Sequence, residues 1–178
     1  MTSDWECIDQ ARRGDNAAWQ SLVSAHYSTL LAQVMLITGD PAAARDIAQD
    51  TLTKLVTTNF ANHNGSLQGL LSTIAYHLAL NERKRGMRTS QLPDSDPVDL
   101  APSPLERVLS AERDREIAAA IRSLDSEHRD VLVLRFYGGH TYEEISQLMN
   151  IPLGTVKSRI FYAVKACQQA LVKKGILE

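Results

Sequence analysis

Apolar residues recur along this chain every three to four positions and seldom every second one. Ala44, Ile47, Ala48, Leu52, Leu55 and Val56 make one such stripe; Leu67, Leu70, Leu71, Ile74, Ala75 and Leu78 make another. Residues three and four apart share a helix face, so each stripe predicts an amphipathic helix with that face turned inward. Start signals agree with the stripes. Ser3-x-x-Glu6, Ser103-Pro104-Leu105-Glu106 and Thr141-Tyr142-Glu143-Glu144 have the form of a capping box, in which a hydroxyl and a carboxylate satisfy otherwise unpaired amides of the first turn. Asp40 before Pro41 suits an N-cap followed by proline in the first turn. No stretch of four or more residues alternates like a half-buried strand between tight turns. The pattern predicts an all-α protein.

Proline divides the helices into two groups. Pro93, Pro97, Pro102 and Pro104, four of the six prolines, fall within Gly86–Pro104, a stretch with no apolar periodicity. Proline lacks the amide a helix needs and pushes the preceding residue towards extended geometry. This predicts two helical domains, residues 1–85 and 105–178, joined by a flexible linker over 86–104; a long ordered loop would carry the same composition.

In the second domain, Leu132, Leu134 and Phe136 lie on a helix that should stop at Gly138-Gly139, where left-handed geometry is cheap. Thr141 caps the next helix, with Ile145 and Leu148 inward and Asn150 as a left-handed stop. Pro152 opens another helix after an interval short enough for a helix-turn-helix. On that last helix Val156 and Ile160 share the inward face. Ser158, Tyr162 and Lys165 point nearly opposite, Thr155 and Phe161 lie at the sides, and Lys157 and Arg159 flank the buried stripe. Small polar and aromatic side chains on one face, edged by cations, suit a major groove: the former meet base edges, the latter phosphates. An ordinary solvated cationic face would look the same in sequence.

Composition narrows the reading. The 178 residues fit one ordinary domain or two small ones, at roughly 100–200 residues per domain. With 44% apolar and 22% charged residues the chain should fold. A net charge of −2 confines nucleic-acid binding to local basic clusters. No unbroken apolar run approaches the roughly 18–20 residues of a membrane span, and the acidic start does not look like a signal peptide. Cys7 and Cys167 make neither a disulfide framework nor a zinc site, which points to a reducing cytoplasm. The five histidines have no metal-ligand spacing, and neither a phosphate-binding glycine loop nor a nucleophile elbow occurs. No catalysis, metal or cofactor is expected.

Three strings carry a family resemblance. Leu124-Asp125-x3-Arg129-Asp130-Val131-Leu132-x-Leu134, Thr141-Tyr142-Glu143-Glu144-Ile145 and Pro152-Leu153-Gly154-Thr155-Val156-Lys157-Ser158-Arg159-Ile160 together resemble region 4 of the extracytoplasmic-function bacterial sigma factors. Asp46-Ile47-Ala48-Gln49-Asp50-Thr51-Leu52 resembles the region 2.2 helix of that family, and the helix after Gly65 resembles regions 2.3 and 2.4. The resemblance implies that Thr155, Lys157, Ser158, Arg159, Tyr162 and Lys165 read a −35 promoter element. It implies that Asp46, Gln49, Asp50 and Thr53 dock on the β′ clamp helices of RNA polymerase. It places Asn62, His63, Asn64, His77, Asn81, Arg83, Lys84 and Arg85 at the −10 element, where amides can bond an unpaired base and cations its backbone. Cations at the end of that helix also complement its dipole, and both roles can coexist.

The family further implies contact with the polymerase β-flap, an anti-sigma partner that is often membrane-anchored, and a monomeric factor. This chain departs from the usual pattern at several positions. Leu67 stands for an aromatic, Leu70 and Val56 for tryptophans, His77 for asparagine, Asn81 for aspartate, and Tyr162-Ala163-Val164 for Arg-Ala-Arg. A helix-turn-helix regulator binding operators as a dimer, independent of polymerase, is the competing reading.

Overall fold

The computed structural model describes residues 4–58, 65–89 and 112–177. Every regular element among them is helical: α1 (Asp4–Arg12), α2 (Asn16–Thr38), α3 (Pro41–Thr57), α4 (Leu67–Thr89), α5 (Glu112–Arg122), α6 (Ser126–Phe136), α7 (Tyr142–Met149) and α8 (Leu153–Lys173). The capping box at Ser103–Glu106 lies outside the described residues.

Local chemistry accounts for the boundaries. Asp15 accepts from the amides of Ala17 and Ala18 to start α2, and Gly39, left-handed at φ 73°, ends it. Asp40 accepts from Ala42 and Ala43 at the start of α3, with Pro41 in the first turn. The Thr141–Glu144 box forms with both of its bonds, and Asn150 closes α7 in the left-handed region at φ 53°, ψ 49°. Where the linker was expected from residue 86, α4 instead continues to Thr89. A lone Gly86 costs a helix only about 1 kcal/mol, and no proline intervenes before Pro93.

Helices α1 to α4 form one bundle, in which α2 packs on α1, α3 and α4. Helices α5 to α7 pack around α8 as a second group. α2 is more apolar than the residue runs suggest. Its 23 residues contain an 18-residue window of mean hydropathy 1.2, enough by length and composition to cross a membrane. Half of that window is buried in the protein. Leu22 and the stretch Leu30–Ile37 are buried, as the core helix of a bundle requires.

The two groups are not apart. α6 packs on α8 and α7 on one side and on α2 on the other, and a single core runs through both groups. The burial of four consecutive residues, Val131 to Leu134, each no more than 5% exposed, follows from that position. A helix on the surface of one bundle would keep a wet side.

Candidate nucleic-acid interface

The turn between α7 and α8 is set by three features. Asn150 takes the left-handed conformation, the Ser146 hydroxyl donates to the Ile151 carbonyl at 2.6 Å, and Pro152 serves as the N-cap of α8. Val156, Ile160 and Ala163 are then driven into the core at 0–5% exposure. The opposite side of α8 is open: Lys157, Ser158, Phe161, Tyr162 and Lys165 are exposed and Thr155 is half-buried. The rings of Phe161 and Tyr162 meet edge to face at 5.4 Å, which holds two large side chains in water without burying them. Nothing lies within 4 Å of where a Cβ would sit at Gly154, so the fold leaves open space at the start of the helix. Arg159 differs from the free cation expected: its guanidinium bonds Glu127 of α6, and its side chain is only 19% exposed.

On α4, His77, Asn81, Lys84 and Arg85 are exposed, with Arg85 pairing with Glu82 at 3.3 Å. Arg83 turns the other way. Its two terminal nitrogens donate to the two oxygens of Asp130 at 3.0 and 2.9 Å, and the Tyr76 hydroxyl donates to the same carboxylate at 3.2 Å. Asp130 has a side chain only 3% exposed. The bond to Asp130 raises the Arg83 pKa, and burial, with the Asp130 charge beside it, raises that of Tyr76. Asn62, His63 and Asn64 lie outside the described residues.

On α3, Asp46, Gln49, Asp50 and Thr53 all lie on the exposed side, while Ala44, Ile47, Ala48, Thr51, Leu52 and Leu55 are buried. Thr51 can be buried because its hydroxyl donates to the Ile47 carbonyl at 2.7 Å. The polar face therefore has no structural duty inside its own bundle.

The junction between the bundles is the part that the sequence did not reveal. Besides the Arg83–Tyr76–Asp130 clasp, His140 Nε2 lies 3.0 Å from the Ser72 hydroxyl and Gln68 donates to the Tyr137 carbonyl at 2.8 Å; within the first bundle, Gln33 donates to the Ser72 carbonyl and steadies that side of the junction. Gly138 is required by this approach: a Cβ there would come within 2.3 Å of the Ser72 hydroxyl oxygen. Burial lowers the pKa of His140, outweighing Glu144, which acts in the opposite sense. An aspartate within the apolar run of α6 is the sequence signal of the buried polar contact at Asp130. No group of three metal-ligating side chains occurs among the described residues.

A helix-turn-helix whose second helix keeps its polar side in solvent, packed on a four-helix bundle, is the architecture of a DNA-binding protein. Comparison with known proteins narrows that class. Residues 120–169 match the family model described as sigma-70, region 4. The chain is 30% identical to the RNA polymerase sigma-H factor of Pseudomonas aeruginosa, over 94% of this chain and 93% of that one. It is 28% identical to the ECF RNA polymerase sigma factor SigL of Mycobacterium tuberculosis, over 95% and 97% of the two chains. In fold it is similar to the sigma factor RpoE from Bartonella quintana, solved with the anti-sigma factor NepR. That match has a TM-score of 0.60, 22% identity, and covers 85% of this chain and 95% of that one. It is also similar to CnrH in complex with the cytosolic domain of CnrY, with a TM-score of 0.58, 20% identity, and coverage of 97% and 99%. The chain belongs to the extracytoplasmic-function sigma factors of the bacterial sigma-70 type, which direct promoter-specific transcription initiation by RNA polymerase.

Proposed function

We propose that the two helical groups divide the work of a sigma factor, with residues 1–85 acting as region 2 and 105–178 as region 4. The observation that carries this is the coexistence, on one chain, of two exposed polar faces that the fold itself does not use. One is Asp46, Gln49, Asp50 and Thr53 on α3, the other the outer side of α8. The α3 face docks on the β′ clamp helices of core polymerase, where acids and amides orient the complex through complementary charge. Lys157, Ser158, Tyr162 and Lys165 meet the −35 element, with cations on phosphates and polar and aromatic groups at base edges. His77, Asn81, Lys84 and Arg85 meet the −10 element from α4, and Asn62, His63 and Asn64 share that role. Region 4 also rests on the β-flap.

The chain itself supplies an address and no catalysis: the bond-making centre is the polymerase's. It acts as a monomer in the cytoplasm, under an anti-sigma partner that is membrane-anchored. Support for that regulation is the fold shared with the sigma factor RpoE, solved in complex with the anti-sigma factor NepR. The experiment is co-purification with core polymerase. The full chain is expected to bind and Asp50→Ala to bind at least several-fold more weakly, with DNA contacts of α8 unaffected. Equal binding of Asp50→Ala shows that the docking face is elsewhere.

A further inference from the structure

Arg85 pairs with Glu82 of its own helix, whereas two other cations of the DNA-facing helices are occupied from outside, both by the same helix. Arg83, from α4, is gripped by both oxygens of Asp130. Arg159, from α8, is bonded by Glu127. Glu127 and Asp130 are three apart on α6, so the two carboxylates project from one side of that helix towards helices of different bundles. The planar guanidinium accepts a carboxylate in the same two-pronged manner as a phosphate. A carboxylate that occupies this fork therefore competes directly with the DNA backbone for it.

We propose that Glu127 and Asp130 set the DNA affinity of the free chain by standing in for backbone phosphates on Arg159 and Arg83. This rests on reading α4 and α8 as the DNA-contacting helices. Asp130 does so across the junction between the bundles, so Arg83 is released only when α4 and α6 separate. Glu127 does so within one bundle, at its exposed rim, and needs only a side-chain rotation. The free protein thereby hides one cation from each of its DNA faces, which suppresses indiscriminate binding to the chromosome. Arg159 becomes available when a phosphate displaces Glu127, and Arg83 once α4 and α6 have parted and a phosphate can take the place of Asp130.

The test is fluorescence anisotropy of the full chain on a short labelled duplex of arbitrary sequence, titrated over a range of salt. Arbitrary sequence suffices because phosphate contacts carry no base information. Each cation that newly neutralises one phosphate steepens the plot of log affinity against log salt by about 0.9. Glu127→Gln and Asp130→Asn are each expected to bind several-fold more tightly at low salt and to steepen the slope by about that amount. Glu143→Gln, an exposed acid on α7, controls for the loss of a negative charge and is expected to leave the slope unchanged. The gain is expected to vanish in Glu127→Gln/Arg159→Ala and in Asp130→Asn/Arg83→Ala. Helicity is checked by circular dichroism; if Asp130→Asn fails to fold, Glu127→Gln carries the test alone. Unaltered slopes in folded single variants, or the same gain from Glu143→Gln, overturn the masking. Failure of every variant, and of the polymerase complex, to bind DNA overturns the reading of the DNA faces, and the masking with it.

Discussion

Removing Arg83 and removing Asp130 should not cost the same, although each breaks the same ion pair. The Asp130 side chain is 3% exposed and that of Arg83 is 21% exposed. Arg83→Ala leaves a carboxylate sealed at the junction with only the Tyr76 hydroxyl for company. An uncompensated buried charge of this kind costs about 3–5 kcal/mol. Asp130→Ala leaves a guanidinium near enough to the surface to reach water. Its main casualty is the buried Tyr76 hydroxyl, which loses its acceptor at about 1–3 kcal/mol. The double variant should be no less stable than Arg83→Ala, because removing the acid also removes the stranded charge. The loss also has a place. The clasp ties α4 to α6, so breaking it should uncouple the two helical groups before either unfolds.

Both tryptophans, Trp5 and Trp19, sit in the first group, on α1 and α2, so their fluorescence reports that group, while far-ultraviolet ellipticity reports every helix. In urea the two signals should coincide for the wild-type chain. In Arg83→Ala the ellipticity change should divide, with part of it preceding the fluorescence change. A wild-type transition in Arg83→Ala, or a larger loss in Asp130→Ala than in Arg83→Ala, refutes the reasoning.

Two further outcomes follow from the same junction. Gly138→Ala places a Cβ at 2.3 Å from the Ser72 hydroxyl and 2.7 Å from the Leu134 carbonyl, and should cost about 1–3 kcal/mol in urea denaturation, as overpacking does. Ser72→Ala in that background should recover only part of the loss, because the Leu134 carbonyl stays in place. Stability should also fall in acid. His140 is held neutral by burial, its pKa lowered from the ordinary 6.5, so the unfolded chain takes up the proton first. Its contribution is therefore complete above about pH 6.5 and is lost as pH falls through the lowered native value. His26, shifted the same way by burial, adds to this. Replacement by glutamine at 140 should flatten the acid limb of a stability–pH curve without abolishing it; an unchanged limb contradicts the assignment.

Much of the fold was legible because its local rules act over a few residues. The Asp40–Pro41 start and the Thr141–Glu144 box depend on side chains within four positions of the amides they satisfy, and the Asn150 stop on its own left-handed backbone, whose amide donates to the Gln147 and Ser146 carbonyls. The inward set on α8, Val156 and Ile160, followed from helical angle alone. What escaped was set by partners far along the chain. Arg83 meets Asp130 across 47 positions and His140 meets Ser72 across 68, and no periodicity encodes such a pair. Arg159 was legible as a flanking cation, but its partner Glu127, 32 positions away, was not. Phe136, placed by the sequence on the same helix as Leu132 and Leu134, stands 62% exposed at the last position of α6, where the chain turns away from the core. The extent of α2 as an apolar helix was also missed, because Gln33 interrupts the run. That amide is buried only because it donates to the Ser72 carbonyl.

The most direct measurement is reconstituted transcription: core polymerase, the purified chain and a library of promoter sequences, with transcript starts read by sequencing. The account predicts initiation that depends on this chain, at starts sharing two upstream elements spaced for α4 and α8, and greatly reduced by Asp50→Ala. Transcript starts that are the same with and without the chain, when no inhibitor is bound, would contradict it.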